Sequence, residues 1–169
     1  MNYRHAFHAG NFADVVKHAA LVRILVHLRE KPAPFRVIDT HAGAGRYDLA
    51  AEEAQRSGEW RDGIARLAAA SLRAPARALL APYLDAVAAC NPAGQLTIYP
   101  GSPWLACALL RAQDRLIACE LEPRAAAGLA RHLAGDRRCK GADHRRLDCS
   151  QRLRAPEGAA RPGAHRSGL

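Results

Sequence analysis

Apolar residues recur at helical spacing near the start of the chain. In residues 12–30, F-A-D-V-V-K-H-A-A-L-V-R-I-L-V-H-L-R-E, Val15, Val22, Val26 and Arg29 share one row, with Leu21, Leu25 and Leu28 beside it. This period predicts an amphipathic helix with a broad apolar face. Asn11 is placed to cap it, with Asp14 three residues on, and K-P-A-P at 31–34 stops it. The period then changes. The run F-R-V-I-D-T at 35–40 predicts a buried strand, and H-A-G-A-G-R turns on Gly43 and Gly45. From Arg46 to Asn91 alanine-rich helical segments are broken by Gly58, Gly63, Pro75 and Pro82. No strand pattern is visible there, so this stretch is read as a helical insertion. Q-L-T-I-Y-P then leads into a helix with Ser102 as the expected N-cap and Pro103 as its first residue, where a missing N–H costs nothing. D-R-L-I-A-C-E-L-E-P at 114–123 predicts a second buried strand ending in acids, followed by a helix. Strands alternating with helices read as an α/β fold.

After Asp136 the patterning fails. Residues 137–169 contain no Val, Ile, Phe, Tyr, Trp or Met, and their composition predicts a basic, disordered tail that furnishes no core strand. Charge follows the same division. The net charge is +9, which by itself invites a nucleic-acid reading because Lys and Arg neutralise phosphates. Residues 137–169, however, hold nine Lys or Arg against three acids, a net +6. Most of the basicity therefore sits outside the patterned part. At 169 residues the length fits one domain with a real core. No apolar run has membrane-spanning length and the N-terminus lacks a secretory pattern, so the expected location is the cytoplasm. Cys90, Cys107, Cys119, Cys139 and Cys149 form no C-x-x-C pair. An odd count at irregular spacing predicts reduced, buried thiols, with neither a disulfide framework nor a zinc site.

The glycine turn carries the candidate chemistry. A turn after a strand lets a ligand approach the backbone and aims amides at it. The dinucleotide fingerprint needs Gly or Ala three residues past its second glycine, where this chain has Asp48, and no P-loop Gly-Lys-Ser or Gly-Lys-Thr exists. A nucleoside cofactor without phosphates fits better, S-adenosylmethionine being the common one. Such sites place an acid at the end of the next strand to accept hydrogen bonds from both ribose hydroxyls, and Glu120 is that candidate. The bland alternative is a tight strand-to-helix turn with no ligand.

Four segments together closely resemble the RlmJ family: Y-R-H-A-F-H-A-G-N-F-A-D-V-V-K-H at 3–18, I-D-T-H-A-G-A-G-R-Y at 38–47, Y-P-G-S-P at 99–103 and E-L-E-P at 120–123. These are enzymes that methylate N6 of an adenine in 23S ribosomal RNA with S-adenosylmethionine. The resemblance runs to about residue 136. It implies a Rossmann-like methyltransferase fold with a helical insertion after the first strand, matching residues 46–91. It implies cofactor contacts at His18, His41, Ser102 and Glu120, and it places Tyr3 at the substrate RNA. No metal is expected, since no third ligand accompanies His5-x-x-His8. The expected state is a monomer whose partner is 23S rRNA. The rival class is a non-catalytic module that binds RNA or cofactor through residues 1–136; a nicotinamide-dependent dehydrogenase is disfavoured by Asp48.

Enzymes of this class use D-P-P-[FY] after the fourth strand. Its acid and backbone carbonyl accept hydrogen bonds from the adenine amine, and its aromatic ring stacks on the extruded base. This sequence has no such segment, and the family's Asp-Gly pair after the third strand also has no visible match. The expectation is thus residues 1–136 as the N-terminal part of a methyltransferase domain, with later strands missing from the sheet, no catalytic residue and marginal stability. Back-translating the tail and reading one base later allows G-W-T-A-L-N-A-Y-V-P-P-K-E-R-R-G-L-V-L-I-D-P-A from Arg146 onward, an amphipathic segment, a strand and then D-P. The expected cause is a one-base insertion or deletion near codons 137–142. Resequencing that DNA and reading past the stop should reveal the remaining strands in one frame; no such frame would sink the idea.

Overall fold

The computed structural model describes residues 5–143. Tyr3 and residues 144–169, which hold most of the basic tail, lie outside the described residues. After a 3-10 turn at His5–Phe7, α1 spans Phe12–Arg29 as the period predicts. The Asn11 side chain accepts the Asp14 N–H at 2.9 Å, which satisfies one of the amides a helix start leaves unpaired. Three strands form a parallel sheet in the order β1 (Arg36–Asp39), β4 (Arg115–Glu120), β5 (Cys139–Asp143). A separate antiparallel ribbon joins β2 (Arg46–Asp48) to β3 (Ile98–Pro100). Between β2 and β3 lie α2 (Glu52–Ser57), α3 (Ile64–Ala68) and α4 (Ala74–Ala89). Helix α5 (Ser102–Leu109) leads to β4, and α6 (Pro123–Leu133) connects β4 to β5.

Two apolar clusters hold this arrangement. One gathers Val22 of α1, Tyr47 and Leu49 at β2, Ile64, Tyr83 and Val87 of the inserted helices, Tyr99 of β3 and Leu105 of α5. The other gathers Leu25, Ala106, Leu110, Leu116, Ala118, Leu129 and Leu133, so α1, α5 and α6 meet the sheet there. Helix α1 contributes to both, which is why its apolar face is broad. Among the described residues no helix is long and apolar enough to cross a membrane.

Several expectations need correction. Strand β1 is half-buried rather than buried, because it lies at the edge of the sheet with β4 as its sole partner among the described residues. Arg46–Asp48 is a strand inside the stretch read as purely helical; three residues carry too little pattern to announce it, and the pairing with Ile98–Pro100 creates it. Pro82 does not break α4. Residues after Asp136 do furnish a strand, β5, despite their composition. A parallel ladder is made by backbone groups, and β5 borrows its stability from β4 while Cys139 packs on the second cluster. Cys107 and Cys139 are joined as a disulfide, whereas Cys90 and Cys119 are free and buried. The 32-residue separation of Cys107 and Cys139 carries no local signal, and only the fold brings α5 and β5 together.

The join between α1 and the sheet depends on one buried acid. Asp114 is fully buried. It accepts the Phe35 amide at 3.1 Å and the Arg111 amide at 2.9 Å, and it pairs with the Arg111 guanidinium at 2.8 Å. Burial alone would raise its pKa, but these donors hold it at about 2. Arg111 in turn donates to the carbonyls of Arg29, Lys31 and Ala33, tying the K-P-A-P segment to the entry of β4. Asp114→Ala removes the carboxylate partner of the guanidinium and leaves two amides without an acceptor, and should cost about 3 kcal/mol of unfolding free energy. Urea titration of the variant against the parent chain checks this.

Candidate cofactor site

The turn after β1 is pinned by a different element at each of its groups. Gly43 N–H donates to Glu120 Oε2 at 2.8 Å, which ties the turn to the end of β4. Ala44 N–H donates to the Tyr47 hydroxyl at 3.1 Å, and the Ala44 carbonyl accepts from His132 of α6 at 2.7 Å. The Gly45 carbonyl accepts Gly101 N–H at 2.8 Å, which fixes the entry to α5. Gly43 has φ +61°, and a Cβ built there would lie 2.0 Å from the Tyr47 hydroxyl. Both the backbone conformation and the space demand glycine.

Beside this turn opens a pocket of roughly 240 Å³ lined in part by Lys17, His18, His41, Ala42, Tyr47 and Ser102. It brings together three of the residues named from the sequence, from α1, the turn and α5. Ser102 is not the N-cap expected of it. Gly101 holds that position, and Ser102 is the first helical residue, its hydroxyl donating to Asp39 Oδ2 at 2.6 Å. The other Asp39 oxygen accepts the His41 amide at 3.1 Å. One carboxylate at the end of β1 therefore orients both residues.

His18 is buried, and its Nδ1 lies 2.7 Å from the Tyr99 hydroxyl. Burial pushes its pKa down to about 4, against the opposing pull of Asp14 one turn earlier. Asp14 is itself buried, accepting from Gly10 N–H, His5 and Lys17. Burial would raise its pKa, but the bonds from His5 and Lys17 hold it well below the carboxylate range. Glu120 does not line this pocket. Its second oxygen accepts the amides of Leu121 and Glu122 at 2.7 and 2.8 Å, and a carboxylate with about four lone-pair positions retains room for another donor.

The strand β5 ends at Asp143, in register with Glu120 across the ladder. A family model described as ribosomal RNA large subunit methyltransferase D, RlmJ, matches residues 32–161. The chain belongs to the RlmJ family. Over 123 residues it is 50% identical to ribosomal RNA large subunit methyltransferase J of Escherichia coli K12, covering 73% of this chain and 43% of that protein. The Haemophilus influenzae protein of the same name is 42% identical over 124 residues, with the same coverage. A crystal structure from Legionella pneumophila, of family DUF519, superposes with a TM-score of 0.69 at 35% identity, covering 80% of this chain and 49% of that one. The chain thus spans less than half the length of the RlmJ relatives it matches.

Lys17, Tyr47 and Asp39 line or order the RlmJ-family pocket here without having been singled out as site residues. The spacing Asp14, Lys17, His18 on one helix could have revealed the first, since i, i+3 and i, i+4 positions are neighbours. His5 and His8 do not converge on a metal: they face different acids, Asp14 and Glu59. Cys107, Asp136 and Cys139 gather within 4.8 Å, but the sulfurs are bonded to each other and Asp136 is engaged by Arg138.

The lowered His18 pKa sets a stability slope. The unfolded chain protonates this histidine below about 6.5, while the folded chain resists until about 4. Stability should fall by about 3 kcal/mol as pH drops through that window, and His18→Gln should flatten the curve there. Denaturant titrations at several pH values measure it; equal slopes in both chains would contradict the assignment.

Proposed function

We propose that this chain forms the S-adenosylmethionine-binding half of an enzyme that methylates N6 of an adenine in 23S rRNA in the cytoplasm. The observation that carries the reading is the convergence of His18, His41 and Ser102 on one pocket at the glycine turn, with Glu120 anchoring that turn. The donor set fits the cofactor. Lys17, His5 and the pocket histidines suit an amino-acid carboxylate, and Glu120, with capacity for another hydrogen bond, suits ribose hydroxyls. His18, His41 and Ser102 would hold the cofactor, and Tyr3 would meet the RNA. When bound, S-adenosylmethionine supplies an electrophilic methyl group on its sulfonium.

The chain's own contribution is binding and orientation. Adenine N6 has its lone pair delocalised into the ring and needs an acceptor to raise its reactivity. The D-P-P-[FY] segment that would supply one is not among these 169 residues. By this reading residues 1–136, continued by strand β5 at Cys139–Asp143, belong to the methyltransferase domain, and 46–91 are its insertion. The protein is a monomer that holds no metal, and the chain alone binds cofactor without transferring methyl groups.

Calorimetry should show saturable one-to-one binding of S-adenosylmethionine with a dissociation constant on the order of micromolar, and no binding of NAD. Failure to bind S-adenosylmethionine, or binding of NAD instead, overturns the cofactor reading. Transfer of labelled methyl groups to protein-free 23S rRNA should be absent; incorporation would refute the proposed inactivity.

A further inference from the structure

The buried polar contacts behind the pocket form a chain. The Tyr83 hydroxyl of α4 lies 3.0 Å from the Tyr99 hydroxyl of β3, which lies 2.7 Å from His18 Nδ1. Tyr83 and Tyr99 are 1% and 0% exposed, so each proton must be spent inside the protein. If His18 donated from Nδ1 to Tyr99, one hydroxyl proton of the pair, on Tyr83 or on Tyr99, would stay buried with no acceptor among the described residues. In the reverse direction Tyr83 donates to Tyr99, Tyr99 donates to Nδ1, and no hydroxyl proton is left over. The second orientation also places the better donor, a phenol, against the better acceptor, an imidazole nitrogen. A histidine with Nδ1 as acceptor carries its proton on Nε2, the remaining nitrogen of a residue that lines the pocket.

We propose that Tyr99 and Tyr83 are positioning residues that hold His18 as its Nε2–H tautomer, so that the pocket offers an N–H donor to the carboxylate of the cofactor's amino-acid end. This rests on the cofactor reading above for the ligand, though not for the tautomer. The carboxylate is favoured because Lys17 and His5 line the same pocket. Of the two, Tyr99 is central, since its hydroxyl is the one that meets the imidazole. Tyr83 supplies the outer proton, and without it Tyr99 still spends its own on Nδ1. The inserted helices therefore reach the cofactor pocket through two hydroxyls.

Long-range nitrogen–proton spectra of the histidine-labelled chain read the tautomer directly, with His18 assigned by its loss in His18→Gln. The parent chain and Tyr83→Phe should show the Nε2–H pattern, and Tyr99→Phe should lose it. Calorimetry then compares S-adenosylmethionine with its decarboxylated analogue, which lacks only the carboxylate. Tyr99→Phe should weaken the first by about tenfold and leave the second within about twofold, the loss expected for a misdirected hydrogen bond to a charged group. An Nδ1–H pattern in the parent chain, an unchanged tautomer in Tyr99→Phe, or equal weakening of both ligands overturns the proposal. If neither ligand binds the parent chain, the cofactor reading and the carboxylate role fall together, and the spectra still decide whether Tyr99 sets the tautomer.

Discussion

The turn at residues 42–46 is the constraint on which this molecule depends. It must leave β1, pass in front of the sheet and start β2 within a few residues, and it has no regular ladder to satisfy its groups. Each group is instead taken by a separate element: Glu120 at the end of β4, Tyr47 of β2, His132 of α6 and Gly101 before α5. Since buried backbone groups are nearly always paired, moving any one of these elements leaves a group in the turn without its partner. The same constraint excludes a side chain at Gly43. A site built this way is ordered before a ligand arrives, and less ordering is left to be done on binding.

A second charge arrangement brings the N-terminal segment to the turn. Asp14 is buried at the start of α1, where a carboxylate gains from the helix dipole and must also find donors. Gly10, His5 and Lys17 provide them. This draws His5 over Tyr47, with ring centroids 5.1 Å apart. The helix thus carries a buried acid, a neutral histidine and an exposed lysine within five positions, each with a different task. Asp14 holds the segment, His18 meets the tyrosine pair, and Lys17 lines the pocket while pairing with Asp14.

Much of this was legible in the sequence because it is local. The helical period from Val15 to Leu28, the β-branched run into Gly43 and Gly45, and the apolar run ending at Glu120 each reflect one element burying one face. The family resemblance added the site residues His18, His41 and Ser102, and the fold brings these to a single pocket. What remained hidden depends on partners far along the chain. Tyr99 lies 81 residues from His18, and Asp39 lies 63 from Ser102. Strand β5 is visible only once β4 is present to pair with it, and the Cys107–Cys139 bond exists only because α5 and β5 converge. Ser102 was misread for a related reason: its hydroxyl was expected to serve the local helix end, and a distant carboxylate takes it instead.

The central claim is that α1, the glycine turn and the start of α5 form one binding surface. Hydrogen exchange with and without saturating S-adenosylmethionine measures that directly. The account predicts slower exchange together at residues 14–21, 39–47 and 101–105, with residues 84–96 unchanged. Protection confined to other segments, or none at saturation, would contradict it.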